Sequence, residues 1–445
     1  MQNKKKLLLL GSMILLVVLT MVVGVGCDNG KSNNEKSQKT ENETKKVDKS
    51  VYMDSTKDIE ERIDALMAQM TLEEKVAQMV QAEQADITLQ EITRYGIGSV
   101  LSGGGSAPST GNSAEKWQEH INGMKQASLD SRLGIPLLYG VDAVHGHSNV
   151  DGATIFPHNV GLGSANDEDL MKRMGELVAK EVRATGIQWT FAPTLADPQN
   201  ELWGRTYEGF GEDADLVAKL GEAFIKGAQG ELGSEDFLSD THVLATAKHY
   251  IGEGYTVSGI NQGDVQMDEA EFETLLDEIL LVPYKAAVDA GVRTVMVSFN
   301  SINGLKCHEN SYLVNEVLKG ELGFTGLVVG DYNGVQQVSG NTYKQQVANV
   351  VNAGVDLLME PFSWREVYQH LKSNVEDGSI SQERVDDAVR RILRVKFEAG
   401  LFEEEIASKT ETDLMAEFGS DEHRELAREA ARMMRCRNEG FENKL

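Results

Sequence analysis

Apolar and polar positions change period along this chain. Residues 7–23 form an apolar run broken only by Gly, Ser and Thr, and residues 28–57 hold almost no apolar side chain. From residue 58 onward, short apolar runs alternate with amphipathic stretches. The segment IEERIDALMAQM repeats its apolar positions at helical spacing. Thr71-Leu72-Glu73-Glu74 then supplies a capping box that opens a second helix, KVAQMVQAE. The short runs at 97–101, 136–141, 188–192, 243–247, 294–298, 326–329 and 355–359 read as buried strands. Between them, 167–185, 214–230, 269–291 and 343–354 read as helices. Strand, helix, strand at this cadence predicts βαβ units and a parallel sheet.

A doubly wound sheet and a barrel both satisfy the pattern, and the polar residues favour the barrel. Asp142, His145, Lys248, His249, Asn300 and Asp331 each follow the C-terminal end of a predicted strand. Sites of (β/α)8 barrels are assembled at that rim. The fold class is therefore α/β, a TIM-like (β/α)8 barrel. Seven strands are countable, which leaves either an irregular barrel or an eighth strand hidden in the 150–165 loop. Gly103-Gly104-Gly105 lacks dinucleotide-binding spacing.

The apolar run changes the picture at the N-terminus. Lys4, Lys5 and Lys6 precede it, and Gly24-Val25-Gly26-Cys27 follows it. This is the layout of a secretory signal. Residues 1–27 resemble a bacterial lipoprotein signal with Cys27 as the lipidated residue, which predicts a body lipid-anchored to the membrane; an uncleaved membrane anchor and free secretion are the alternatives, and all three place the body outside the cytoplasm. Residues 28–57 read as a disordered polar tether.

Composition adds exclusions. Among 445 residues, 43 Lys+Arg against 70 Asp+Glu give a formal charge of −27, and such a surface repels nucleic acid. Three cysteines make no disulfide framework. His145-x-His147 has no third ligand at recognisable spacing, so neither metal nor cofactor is expected.

The chemistry concentrates in four segments. GLVVGDY sets Asp331 at the end of a buried strand, where a carboxylate is costly unless it is functional or capping. Lys248-His249 offers a cation beside a hydrogen-bonding ring, suited either to sugar hydroxyls and carboxylates or to a rim salt bridge. Arg205, in the polar loop from Asp197, can grip a carboxylate or vicinal hydroxyls, or pin its loop. GVDAVHGH adds Asp142.

Read together, MTLEEKVAQM, GVDAVHG, GATIFPHNVGLG, FAPTLADP, LWGRTYEGFGED, ATAKHYIGEG, VMVSFNSINGLK and GLVVGDY resemble the first domain of glycoside hydrolase family 3, the β-glucosidase and exo-glucan hydrolase family. The resemblance covers residues 58 to about 430, with 58–425 as the barrel domain. It implies a retaining exo-acting β-glucosidase, Asp331 its nucleophile, with Asp142, Arg205, Lys248 and His249 binding the terminal sugar of a β-linked oligosaccharide or glucoside. Tyr332 stands where a Trp often follows the nucleophile, and Phe299 where some relatives carry Tyr. Trp203, beside Arg205, is expected near the sugar.

In such enzymes the acid/base is a Glu of a later sandwich domain. Residues 426–445 read as a truncated connector toward it, so the acid/base is expected to be missing, or to come from a separate sandwich-domain partner. The single-domain hexosaminidase dyad is absent, with Gly259-Ile260-Asn261 in its place. Glu253, within the same loop, is a possible substitute acid. The alternative is a catalytically impaired sugar-binding lipoprotein that keeps the glucose pocket.

Overall fold

The computed structural model describes residues 47–442, with side chains to 434. The proposed signal with Cys27, residues 28–46 of the tether, and the side chains from 435 onward lie outside the described residues.

Eight short strands form the barrel: β1 (Val80–Glu83), β2 (Ser99–Ser102), β3 (Leu138–Val141), β4 (Trp189–Thr190), β5 (Thr246–Tyr250), β6 (Thr294–Val297), β7 (Leu327–Val329) and β8 (Leu358–Met359). Each pairs in parallel with the next through ladders or through the bridges Trp189–Leu244 and Val329–Leu357. The β1–β8 pairing, Val80 with Leu358, closes the ring. A closed sheet has no free edge, which is the gain over the doubly wound alternative. Outside the ring, Asp264–Val265, Ser301–Ile302 and Leu305–Lys306 make a small accessory sheet.

The eighth strand is not in the 150–165 loop, which instead contains a helix over Asn159–Ala165. It is Val80–Glu83, directly after the capping-box helix. That helix stops at Gln78, and the VQAE that seemed to continue it is extended and buried at every position. Burial between barrel interior and outer helices removes the alternation that marks a half-exposed strand.

The predicted helices appear at Glu168–Ala184, Ala214–Gln229 and Tyr343–Asn352, and the 269–291 stretch is helical as three consecutive segments. The barrel interior is partly polar. Trp189 Nε1 donates to Thr246 Oγ1 (2.8 Å) and Thr294 Oγ1 (3.0 Å), and Gln81 Nε2 donates to Ser99 Oγ (2.8 Å). At the opposite end of the strands, buried Lys396 bridges the starts of three of them by donating to Gln78 Oε1, Gly98 O and Pro136 O, all at 2.8 Å.

The tether expectation needs correction at its end. Tyr52 is fully buried, donates to Leu133 O and receives Arg62 Nε on its own carbonyl, so residues 47–57 pack on the barrel. The segment read as the connector is helical, as its start suggests. Residues 421–442 are one helix, Ala430 on it is buried, and Glu429 takes two hydrogen bonds from Arg173. Its described part packs against the barrel's outer helices.

Candidate active site

The C-terminal mouth of the barrel gathers the strand-end residues. A cavity of about 330 Å³ is lined by Asp142, His145, Arg205, Glu208 and Lys248, with Gly104 and Tyr207 at its edge. Lys248 Nζ donates to Asp142 Oδ1 at 2.9 Å, joining the ends of β5 and β3. Arg205 forks onto Glu208, its Nε and Nη2 each 2.8 Å from a carboxylate oxygen. This pair holds the Glu208 carboxyl at about 2 despite burial. Arg205 Nη2 also lies 3.1 Å from His249 Nε2.

Asp331 lies beside this cavity and not on its lining, with its side chain 11% exposed. Its Oδ1 accepts from the Tyr332 backbone N–H at 2.6 Å. Its Oδ2 is 3.7 Å from His249 Nε2 and accepts no hydrogen bond among the described residues. Burial pushes this carboxyl above its ordinary value, while the fixed charges of Arg205 and Lys248 pull it back toward ionisation.

Four further residues shape the surroundings of Asp331 and Tyr332, and sequence reasoning passed over all of them. His308 Nε2 accepts from the Asp331 backbone N–H at 2.9 Å, and burial keeps that imidazole neutral, its pKa down to about 4. Gly334 is needed here because a Cβ would come within 2.3 Å of the same ring nitrogen. Glu360, at the end of β8, accepts from Val335 N (2.8 Å), Gln336 Nε2 (3.0 Å) and Tyr343 Oη (2.7 Å), bracing the turn after Asp331. Glu83, at the end of β1, accepts from Gly103 N (3.0 Å) and Ser106 Oγ (2.5 Å). It thereby draws the triglycine loop to the mouth, with Gly103 close enough to Tyr332 that a Cβ would sit 2.8 Å from the ring. The signal for Glu360 was available: it follows the predicted strand 355–359 as Asp331 follows 326–329.

Of the sequence-predicted site residues, Asp142, Arg205, Lys248, His249, Asp331 and Tyr332 converge. Trp203 does not. It is 2% exposed, its indole N–H donates to Asn261 Oδ1, and it anchors the loop from beneath without offering a face to a ligand. Tyr207, 45% exposed, is the aromatic side chain at the cavity. Glu253 is buried behind His249, its Oε1 accepting from His249 Nδ1 at 2.8 Å. His145 and His147 diverge, the first bonded to Phe156 O and the second, fully buried, to Thr185 Oγ1. Asn300 is buried against Ile251 O. Cys307 is buried, with its thiol pushed up to about 12, so it is no nucleophile.

The mouth of this parallel barrel thus gathers carboxylates, a guanidinium, an ammonium and imidazoles beside a buried carboxylate. The chain belongs to glycosyl hydrolase family 3, whose N-terminal-domain model matches residues 71–395. Among solved structures, an exo-1,3/1,4-beta-glucanase from a Pseudoalteromonas species is 43% identical with a TM-score of 0.81, over 84% of this chain and 47% of that one. A beta-glucosidase from Listeria innocua in complex with glucose is 31% identical with a TM-score of 0.73, over 85% of this chain and 52% of that one. The lysosomal beta glucosidase of Dictyostelium discoideum is 31% identical over 364 residues, 76% of this chain and 44% of the relative. The chain thus spans about half the length of the curated relatives it matches.

Proposed function

We propose that this barrel binds the terminal glucose of β-glucosides and β-glucans and that Asp331 is the nucleophile of an exo-acting, retaining hydrolysis. The observation that carries the reading is the buried, unbonded Oδ2 of Asp331 among Arg205, His249 and Lys248. An oxygen with no donor keeps its lone pairs for attack, and the Arg205 guanidinium and Lys248 ammonium favour its ionised form against the effect of burial. Asp142, Lys248, Arg205 and His249 bind the sugar hydroxyls, and Tyr332 borders the aglycone. The glucose-bound Listeria beta-glucosidase supports the choice of sugar.

In the first step Asp331 bonds to the anomeric carbon as the glycosidic C–O bond breaks and the departing oxygen takes a proton. In the second, water displaces Asp331. Retaining chemistry needs a second carboxyl roughly 5–5.5 Å from the first. The other carboxylates around the cavity are engaged: Asp142 with Lys248, Glu208 with Arg205, and Glu253 with His249. The acid/base is accordingly assigned outside the described residues, on a sandwich domain in cis or in trans. The same observation favours a second reading, in which the chain alone is a glucose-binding lipoprotein. For the 1–27 segment we propose lipidation at Cys27 and an extracytoplasmic, membrane-anchored body.

The discriminating experiment compares substrates for the chain alone. An activated aryl β-glucoside should release its phenol slowly, azide should accelerate turnover and yield β-glucosyl azide, and cellobiose should be nearly inert. Equal, vigorous rates on cellobiose and the aryl glucoside contradict the outside acid/base. Absence of any phenol release favours the binding protein.

A further inference from the structure

Glu253 has no part in the reaction as written, although its side chain is 3% exposed beside the proposed nucleophile's neighbours. Its Oε1 receives both polar hydrogens of one residue: the His249 ring at Nδ1 (2.8 Å) and the His249 backbone N–H (3.3 Å). Its Oε2 faces Arg205 Nη1 at 4.0 Å. The opposite edge of the imidazole, Nε2, meets Arg205 Nη2 at 3.1 Å and Asp331 Oδ2 at 3.7 Å. Glu253 therefore lies across the ring from Asp331, where it has no access to a glycosidic oxygen, and the role of substitute acid is set aside.

We infer that Glu253 is a positioning residue that fixes His249 with its proton on Nδ1, so that Nε2 presents a lone pair to Arg205 and leaves Asp331 Oδ2 free of hydrogen bonds. The inference rests on the assignment of Asp331 as nucleophile, but its geometry is independent of it. A carboxylate is acceptor-only, so the hydrogen between Glu253 and the ring must belong to Nδ1. A guanidinium is donor-only, so a neutral Nε2 must accept from it. The two contacts select one tautomer. In the other tautomer, Nε2–H opposes Arg205 Nη2–H and points toward the nearest open acceptor, Asp331 Oδ2. A hydrogen bond there ties up the attacking lone pair. Glu253 thus controls, through one imidazole, whether the nucleophile is armed.

The loop is built to hold Glu253 in place. Gly252 turns at a φ of 88°. Gly254, next in line, packs so closely on the Asp197 carbonyl that a Cβ would lie 2.6 Å from it. Tyr255 Oη donates to Asp197 Oδ2 at 2.9 Å, and Gln199 and Asn200 both donate backbone N–H groups to Gly254 O. The Glu253 loop and the Arg205 loop are zipped together, so the two groups that select the tautomer move as a unit.

The test uses Glu253→Gln in the full chain, because an amide matches the carboxylate in size and can donate to Nδ1. Expected are covalent trapping by an activated 2-deoxy-2-fluoro-glucoside slowed about tenfold to a hundredfold, glucose affinity changed less than about threefold, and a nitrogen-15 ring signature of His249 moved from the Nδ1–H to the Nε2–H pattern. Glu253→Ala with an unchanged ring signature, or Glu253→Gln trapping at the wild-type rate, overturns the inference. So does a parallel loss of glucose binding and melting temperature, which marks a purely structural residue. If the wild-type chain is never trapped, the assignment of Asp331 fails instead, and the ring signature alone still decides the role of Glu253.

Discussion

Oδ2 of Asp331 and Nε2 of His249 stand 3.7 Å apart with no hydrogen bond between them, while Arg205 occupies the same ring nitrogen at 3.1 Å. The barrel mouth therefore combines a cationic surround with an unbonded carboxylate oxygen. Burial favours the protonated acid and the cations favour the ion, so the reactivity of Asp331 depends on how many of them remain.

Arg205→Ala removes one of those cations. With it gone, the Asp331 carboxyl climbs further above its ordinary value, and a higher pH is needed to ionise it. The acid limb of the trapping rate should move to higher pH. An acid limb that stays in place means Arg205 does not act on the nucleophile.

His308→Leu deletes the acceptor of the Asp331 backbone N–H while keeping the site apolar. A buried donor left without a partner costs about 1–3 kcal/mol. The midpoint of chemical denaturation should fall accordingly, and trapping should slow because the nucleophile's backbone loses its anchor. A variant of wild-type stability and rate removes His308 from the account.

Asp197, buried under Tyr255, has its carboxyl pushed up to about 7 by burial and by the nearby Glu253. Unfolded, the same group titrates at ~3.9. Between those values the folded state holds the extra proton, so this residue's contribution to stability declines as pH rises from about 4 to 7. Asp197→Asn does not titrate. Its unfolding free energy relative to wild type should rise across that window, by about 2 kcal/mol or more at its upper end. A pH-independent difference contradicts the burial argument.

Lys396 has the opposite slope. Burial brings its ammonium down to about 7, against ~10.4 in an unfolded chain. From about pH 7 to 10 the unfolded state binds more protons, so the stability contribution of Lys396 increases with pH. The advantage of wild type over Lys396→Met should widen across that range. A constant gap implies that the three oxygen acceptors at 2.8 Å keep the ammonium fully charged.

The alternation of strands and helices and the rim position of Asp142, Lys248, His249 and Asp331 were legible because each follows an apolar run that ends abruptly. Strand β1 was not. VQAE continues a helix with strong capping signals, and complete burial leaves no alternating polar face to betray an extended backbone. That omission also concealed Glu83, whose role emerges only when it ends a strand beside Gly103. Trp203 was misplaced because proximity to Arg205 in sequence says nothing about which way a loop residue turns. Its ring faces the protein and its neighbour's guanidinium faces the site. His308 is 23 residues from Asp331, a separation at which no local pattern reports a side chain accepting from a distant backbone amide.

The most direct test of the central claim is peptide mapping by mass spectrometry after incubating the chain with an activated 2-deoxy-2-fluoro-β-glucoside. Expected is one fluoroglucosyl group per chain, on the peptide containing Asp331, and none on Asp331→Asn, which still binds glucose. A sugar mapped to any other residue, or equal labelling of the variant, contradicts it.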